Sequence, residues 1–128
     1  MADIIVDTDI LIDVIRNSAD AIAYVRNFEH RAPLSISSIT YMELLIGCRN
    51  KTEQRKVEQF VRRFQVARLT EAITDRAIGL LRQYRLSHGL LIADGLIAAT
   101  ALEVGTSLAT KNKRDFLFID GLTLLPYP

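Results

Sequence analysis

Residues 4–16 read IIVDTDILIDVIR. Ile4, Ile5 and Val6 make a short β-branched run, which predicts a strand, and Asp7 ends it. Thr8 or Asp9 then serves as N-cap for a helix with Ile10–Arg16 as its body. A wholly apolar strand that passes at once into a helix belongs in a parallel sheet covered on both faces.

The same alternation continues along the chain. Ser18 or Asp20 opens a helix running to about Arg31, and Pro33 leads into a second strand, Leu34–Ser37. Ser38 caps a helix carrying Met42, Leu45 and Ile46, with Asn50 as its left-handed stop. Val57, Phe60, Val61 and Phe64 fall at i, i+3, i+4 and i+7, a core-facing stripe. Val66–Leu69 predicts a strand. Thr70 caps a long helix with Ile73, Ala77, Leu80, Leu81 and Tyr84 on one face, stopped at Gly89. Leu91–Val104, apolar nearly all round, predicts a buried helix ending at Gly105. Ser107–Thr110 and Leu122–Leu125 complete the strands. No repeat or Pro/Gly-rich linker interrupts the 128 residues, so one α/β domain over 1–128 is expected, with a mostly parallel central sheet. Sheets of this kind bind ligands outside the carboxyl ends of their strands. Asp7 and the residues after Thr110 are therefore where function is sought.

Composition narrows the chemistry. Hydrophobic residues make up 49% of the chain and charged residues 24%, which suits a globular domain and excludes disorder. Cys48 is alone and cannot form an internal disulfide. The start is acidic where a signal peptide is basic, and Asp94, Gly95, Thr100 and Glu103 break the most apolar stretch. A cytoplasmic protein with no membrane partner is the expectation. His30 and His88 are far apart, and no HExxH or CxxC spacing supports zinc. Neither a GxxxxGK nor a GxGxxG loop is present. Any enzymatic chemistry therefore rests on carboxylates.

Four acids lie on elements that border one rim of the sheet. Asp7 ends the first strand, although Asp is also a common turn and cap residue. Glu43 falls at the edge of the apolar arc of Ile39, Met42 and Ile46, with Gly47 leaving space beside it. Asp94 interrupts Leu91-Ile92-Ala93 and Leu96-Ile97-Ala98-Ala99. The helix dipole tolerates an acid there, but an unpaired buried carboxylate costs several kcal/mol, on the order given for buried ions after relaxation. Asp115 follows Lys111-Asn112-Lys113-Arg114, directly after the strand ending at Thr110. Clustered carboxylates repel and do not all stay ionised without a cation. Hard, oxygen-seeking Mg²⁺ or Mn²⁺ resolves this, and the implied chemistry is metal-assisted phosphodiester hydrolysis.

The ordered segments IIVDTDILID, ITYMELLIG, ADGLIAATA and LATKNKRDF resemble the PIN-domain family, and among its members the VapC toxins of toxin–antitoxin pairs. Each segment alone is weak; four in order over nearly the whole chain are specific. The resemblance implies a three-layer α/β/α fold, a Mg²⁺- or Mn²⁺-dependent endoribonuclease, a homodimer, and inhibition by a VapB-type antitoxin. It carries the metal-binding and catalytic acids to Asp7, Glu43 and Asp94. Family members vary in the fourth acid; with Asn at 112, it falls to Asp115. Thr8, Asp9, Thr110 and Asn112 become positioning groups. Ala93 stands where a proline is often found, which concerns the start of the helix rather than the chemistry.

Net charge is only +1, yet residues 49–68 hold seven Lys/Arg against two Glu, a local +5 offset by −4 elsewhere. Most of these cations suit a solvated helix face. Lys111, Lys113 and Arg114 lie beside the acids and are the candidates for holding an RNA backbone. Two other readings stand beside the ribonuclease. A phosphoacceptor receiver domain would use Asp7, Asp9, Thr110 and Lys111, but it needs an aspartate after the third strand, where only Thr70 and Glu71 stand. A degenerate, non-catalytic PIN-like RNA-binding module would have no need of four clustered acids.

Overall fold

The computed structural model describes residues 4–128, so the acidic start at Met1–Asp3 lies outside the described residues. The elements in chain order are β1 (Ile4–Val6), α1 (Thr8–Ile15), α2 (Ala19–Glu29), β2 (Leu34–Ser37), α3 (Ser38–Ile46), α4 (Lys51–Val61), β3 (Gln65–Ala67), α5 (Glu71–His88), α6 (Ile92–Val104), β4 (Ser107–Ala109) and β5 (Leu124–Leu125). A 3-10 turn covers Lys113–Asp115. The five strands form one parallel sheet in the order β3-β2-β1-β4-β5.

Helices cover both faces, and β1 shows why. Successive strand side chains point to opposite sides. Ile5 enters a core with Leu80, Tyr84, Ile97 and Phe116, under α5 and α6. Val6 enters a second core with Ile10, Leu11, Val25, Ile36 and Val61, under α1, α2 and α4. The expected three-layer α/β/α architecture is present. No described helix is long and apolar enough to cross a membrane.

Several local expectations shift. The N-cap of α1 is Asp7, whose carboxylate accepts from the Thr8 N–H, rather than Thr8 or Asp9. The cap of α3 is Ser37 instead of Ser38. Asn50 is the N-cap of α4, with extended backbone, and is not a left-handed stop; α3 ends at Gly47. Helix α4 closes at Val61, although Phe64 beyond it is still buried. Strand β3 starts one residue early and β5 is only two residues long. Helix α3 also turns differently from expectation. Thr40 and Leu44 are buried, while Met42 and Ile46 face outward, with Ile46 84% exposed. Leu91 and Ile92 are exposed too, so α6 is buried only from Gly95 to Ala101, Leu96 excepted. The stops at Gly89 and Gly105 do adopt the left-handed backbone that glycine permits.

The strand order excludes the receiver reading. A receiver sheet follows 2-1-3-4-5. Here β3 lies at the edge, beyond β2, and is followed by Arg68, Leu69 and Thr70. The chain builds outward from β1 to β3, then returns to place β4 on the other side of β1. The reversal falls between β1 and β4, whose carboxyl ends carry Asp7 and Thr110.

Candidate active site

Asp7 and Thr110 meet at this reversal. The Asp7 N–H donates to the Ala109 carbonyl at 2.9 Å, which continues the β1–β4 pairing past the end of the strand. The Thr110 hydroxyl donates to Asp7 Oδ2 at 2.7 Å, and the Thr8 N–H donates to Oδ1 at 2.8 Å. Both residues are almost fully buried. Burial pushes the Asp7 carboxyl up from 3.8 to about 6, even though those two donors favour its charged form; Asp9 and Glu43 push it the same way.

Helix α3 brings Glu43 to the same place. The Thr8 hydroxyl donates to Glu43 Oε1 at 2.7 Å and lies 3.0 Å from the Thr40 hydroxyl. Thr40 precedes Glu43 by three residues and so shares its face of the helix. This buried threonine is a site neighbour that sequence reasoning missed, and the i−3 spacing was its only signal.

Asp94 lies in the first turn of α6, half-buried, with its carboxyl pushed up from 3.8 to about 7. Burial is the main cause; the negative charges of Asp7, Asp115, Glu43 and Asp9 add to it, in that order. Asp7 and Glu43 are thus joined through Thr8, and the charges of Asp7, Asp9, Glu43 and Asp115 all reach Asp94. Asp115, in the 3-10 turn, is exposed and bears on Asp94. Asp9 Oδ2 accepts from the Asn112 side-chain amide, and the Asn112 N–H donates to the Thr110 hydroxyl at 3.0 Å. That turn is therefore tied to both α1 and β4.

Among the described residues, no three His, Cys, Asp or Glu side chains close on a metal position by themselves. The donor set is nonetheless all carboxylate oxygen, with two members pushed up towards neutrality, and it suits a hard divalent cation. The loop cations divide. Lys111 Nζ sits 2.6 Å from Asp13 Oδ2, a partner that sequence reasoning did not name, although Asp13 follows Asp9 by one helical turn. Lys113 and Arg114 are exposed. On the other side of Glu43 an open cleft of about 930 Å³ runs between α1, α2, α3 and α4. Ile12, Val25, Leu44, Val57 and Phe60 line it; Arg16, Arg26 and Lys56 stand around it, with Arg49 paired to Glu53 and Arg63 to Glu29.

The fold is that of a known class: the chain belongs to the PIN-domain family, which matches residues 4–121. Its relatives within that family are VapC ribonucleases. The chain is 37% identical over 120 residues to Ribonuclease VapC10 of Mycobacterium tuberculosis, covering 93% of this chain and 90% of that one. It is 34% identical over 114 residues to Ribonuclease VapC19 of the same organism, covering 88% and 90%. Solved structures agree. A chain of VapBC2 from Rickettsia felis, bound to a DNA fragment from its promoter, superposes with a TM-score of 0.84 at 26% identity, covering 98% and 99% of the two chains. A chain of DNA-bound VapBC from Salmonella typhimurium gives 0.80 at 27% identity, covering 98% of both.

Proposed function

We propose that this chain is a divalent-metal-dependent endoribonuclease, the toxin of a VapBC-type pair. It cuts RNA phosphodiester bonds at Asp7, Glu43, Asp94 and Asp115. One observation carries the reading: Asp94, pushed up to about 7 chiefly by burial, also feels the negative charges of Asp7, Asp9, Glu43 and Asp115 from three other segments, in a chain whose relatives are named ribonucleases. Like charges held together in this way call for a cation.

The four acids would hold Mg²⁺ or Mn²⁺. When bound, such a cation polarises the scissile phosphate and makes a water nucleophile available at neutral pH. The chain's own groups set the geometry. Thr110 and the Thr8 N–H fix both oxygens of Asp7, and the Thr8 hydroxyl fixes Glu43. Asn112 holds Asp9 and steadies the turn that carries Asp115. Lys113 and Arg114 hold RNA phosphates. Lys111 joins them with the N–H donors that Asp13 leaves free.

A VapB-type antitoxin is the protein partner. The apolar floor of the α1–α4 cleft, with Arg16, Arg26 and Lys56 at its edge, suits an amphipathic segment with acidic residues, and the presence of Glu43 in its lining would let that segment cover the site. A homodimer is the expected assembly, and the outward-facing Met42 and Ile46 of α3 offer it apolar surface. The cytoplasm, where RNA substrates lie, is the expected compartment.

Incubation of antitoxin-free protein with structured RNA tests the central reading. Cleavage is expected with Mg²⁺ or Mn²⁺, and is expected to disappear with EDTA and in Asp7→Asn and Asp94→Asn. Cleavage that survives EDTA and both substitutions overturns it.

A further inference from the structure

His88 and Phe118, on the segments next to Asp94 and Asp115 in the chain, form a stacked aromatic pair that none of the roles above uses. Their rings lie 4.3 Å apart between centroids and 14° from parallel. His88 ends α5, six residues before Asp94. Phe118 follows Asp115 by three residues. The two rings therefore stand on the segments that lead directly into the first turn of α6, with Asp94, and out of the 3-10 turn, with Asp115.

The pair is built in from below. Tyr84 is buried and meets Phe118 at 5.2 Å and His88 at 5.9 Å between centroids. Its hydroxyl accepts from the Asp120 N–H at 3.3 Å, which anchors the segment carrying Phe118 to α5. The Ser87 hydroxyl lies 2.7 Å from His88 Nδ1 and restricts the turning of the ring. Phe118 is partly buried while His88 is exposed. One face of the imidazole therefore rests on Phe118, and the residue as a whole stays exposed. An exposed, orientation-fixed aromatic face is what a single-stranded RNA base stacks on. Lys113 and Arg114, in the turn leading to Phe118, stand within a few residues to meet the adjoining phosphates.

We propose that His88, backed by Phe118 and Tyr84, is a stacking platform for an unpaired RNA base next to the scissile phosphate. It is a substrate-binding and positioning residue; it does not touch the reacting atoms. The inference rests on the ribonuclease reading, which supplies RNA as the ligand.

The chain contains no tryptophan, so His88→Trp creates a single fluorescent reporter at the platform. The reporter is placed in an Asp94→Asn background, where RNA is not cut, and titrated with a short single-stranded oligoribonucleotide and with an abasic oligomer of equal phosphate count. Quenching by the base-bearing strand and not by the abasic one is expected. In the otherwise unaltered chain, His88→Ala should raise KM for a single-stranded substrate about 5- to 100-fold, with a smaller effect on kcat. His88→Phe should restore KM. Several results overturn the platform. One is an unchanged KM in His88→Ala, or a loss confined to kcat and melting temperature, which marks a mere clasp between α5 and the Phe118 segment. Another is tryptophan emission that does not respond to RNA, or responds equally to the abasic strand. A third is emission already buried and dependent on protein concentration, which means that a second copy covers the face. Failure of the ribonuclease reading looks different, because the unaltered chain then cuts no RNA under any metal condition while the tryptophan titration still reports on stacking.

Discussion

Asp94 and Asp7 carry a cost that the fold alone does not require. Each is pushed up from 3.8, to about 7 and about 6, chiefly by burial. An acid whose pKa is higher folded than unfolded holds its proton more tightly in the folded state. Stability then falls as pH rises between the two values. In the absence of metal, the melting temperature should drop as pH rises from about 4 to about 7 and level off above. Asp7 alone accounts for on the order of 3 kcal/mol, at about 1.4 kcal/mol per pH unit; the half-exposed Asp94 adds less than its own shift suggests, because solvent screens it. Asp94→Asn removes one of the repelling charges, so the metal-free variant should melt several degrees above the unaltered chain at pH 8 while cutting no RNA. Thermal scans at pH 5 and pH 8 check both points. A flat profile, or a variant that melts lower at pH 8, contradicts the electrostatic description.

Threonines on α1, on α3 and just after β4 turn separate elements into one site. Thr110 donates to Asp7 and accepts from the Asn112 N–H, so it joins β1, β4 and the turn carrying Asp115. Thr110→Val keeps the shape and removes the hydroxyl, leaving the buried Asp7 carboxylate and the partly buried Asn112 N–H each short of a hydrogen bond. A loss of about 1–3 kcal/mol in urea unfolding and a roughly 10- to 100-fold loss in kcat/KM are expected. Unchanged kinetics would mean that the hydroxyl does not orient Asp7. The strand-then-acid pattern at Ile4–Asp7 and the polar break at Asp94 are visible in the sequence, because a charge inside an apolar run has few innocent explanations. The outward turn of Met42 and Ile46 is not. Their apolar spacing reads as a core stripe, whereas Thr40 and Leu44 face the sheet, and Thr40 is accommodated there by its hydroxyl's approach to Thr8. The caps at Ser37 and Asp7 differ from expectation by one residue because adjacent Ser, Thr and Asp are equally good caps until backbone geometry chooses among them. Asn50 escapes a sequence reading because Asn suits both a helix stop and a helix start.

Across the molecule, strand order and charge distribution agree. The return of the chain from β3 to β4 opens the crevice beside β1, and the acids of α1, α3, α6 and the 3-10 turn converge there. The net charge of +1 hides this acidic focus and a basic stretch over residues 49–68. RNA binding should then depend on local cations and not on a global field. Replacing Lys113 and Arg114 together by Ala should lower the salt slope of single-strand binding by about 1.4, at roughly 0.7 for each phosphate no longer neutralised. An unchanged slope places the RNA elsewhere. The metal claim itself is tested most directly by titrating Mn²⁺ into the unaltered chain and into Asp94→Asn at pH 7, with free Mn²⁺ followed by its paramagnetic resonance signal. Saturable binding with proton release, weakened at least about tenfold in Asp94→Asn, is the predicted result. Equal affinity in the two proteins, or no binding at millimolar Mn²⁺, would contradict it.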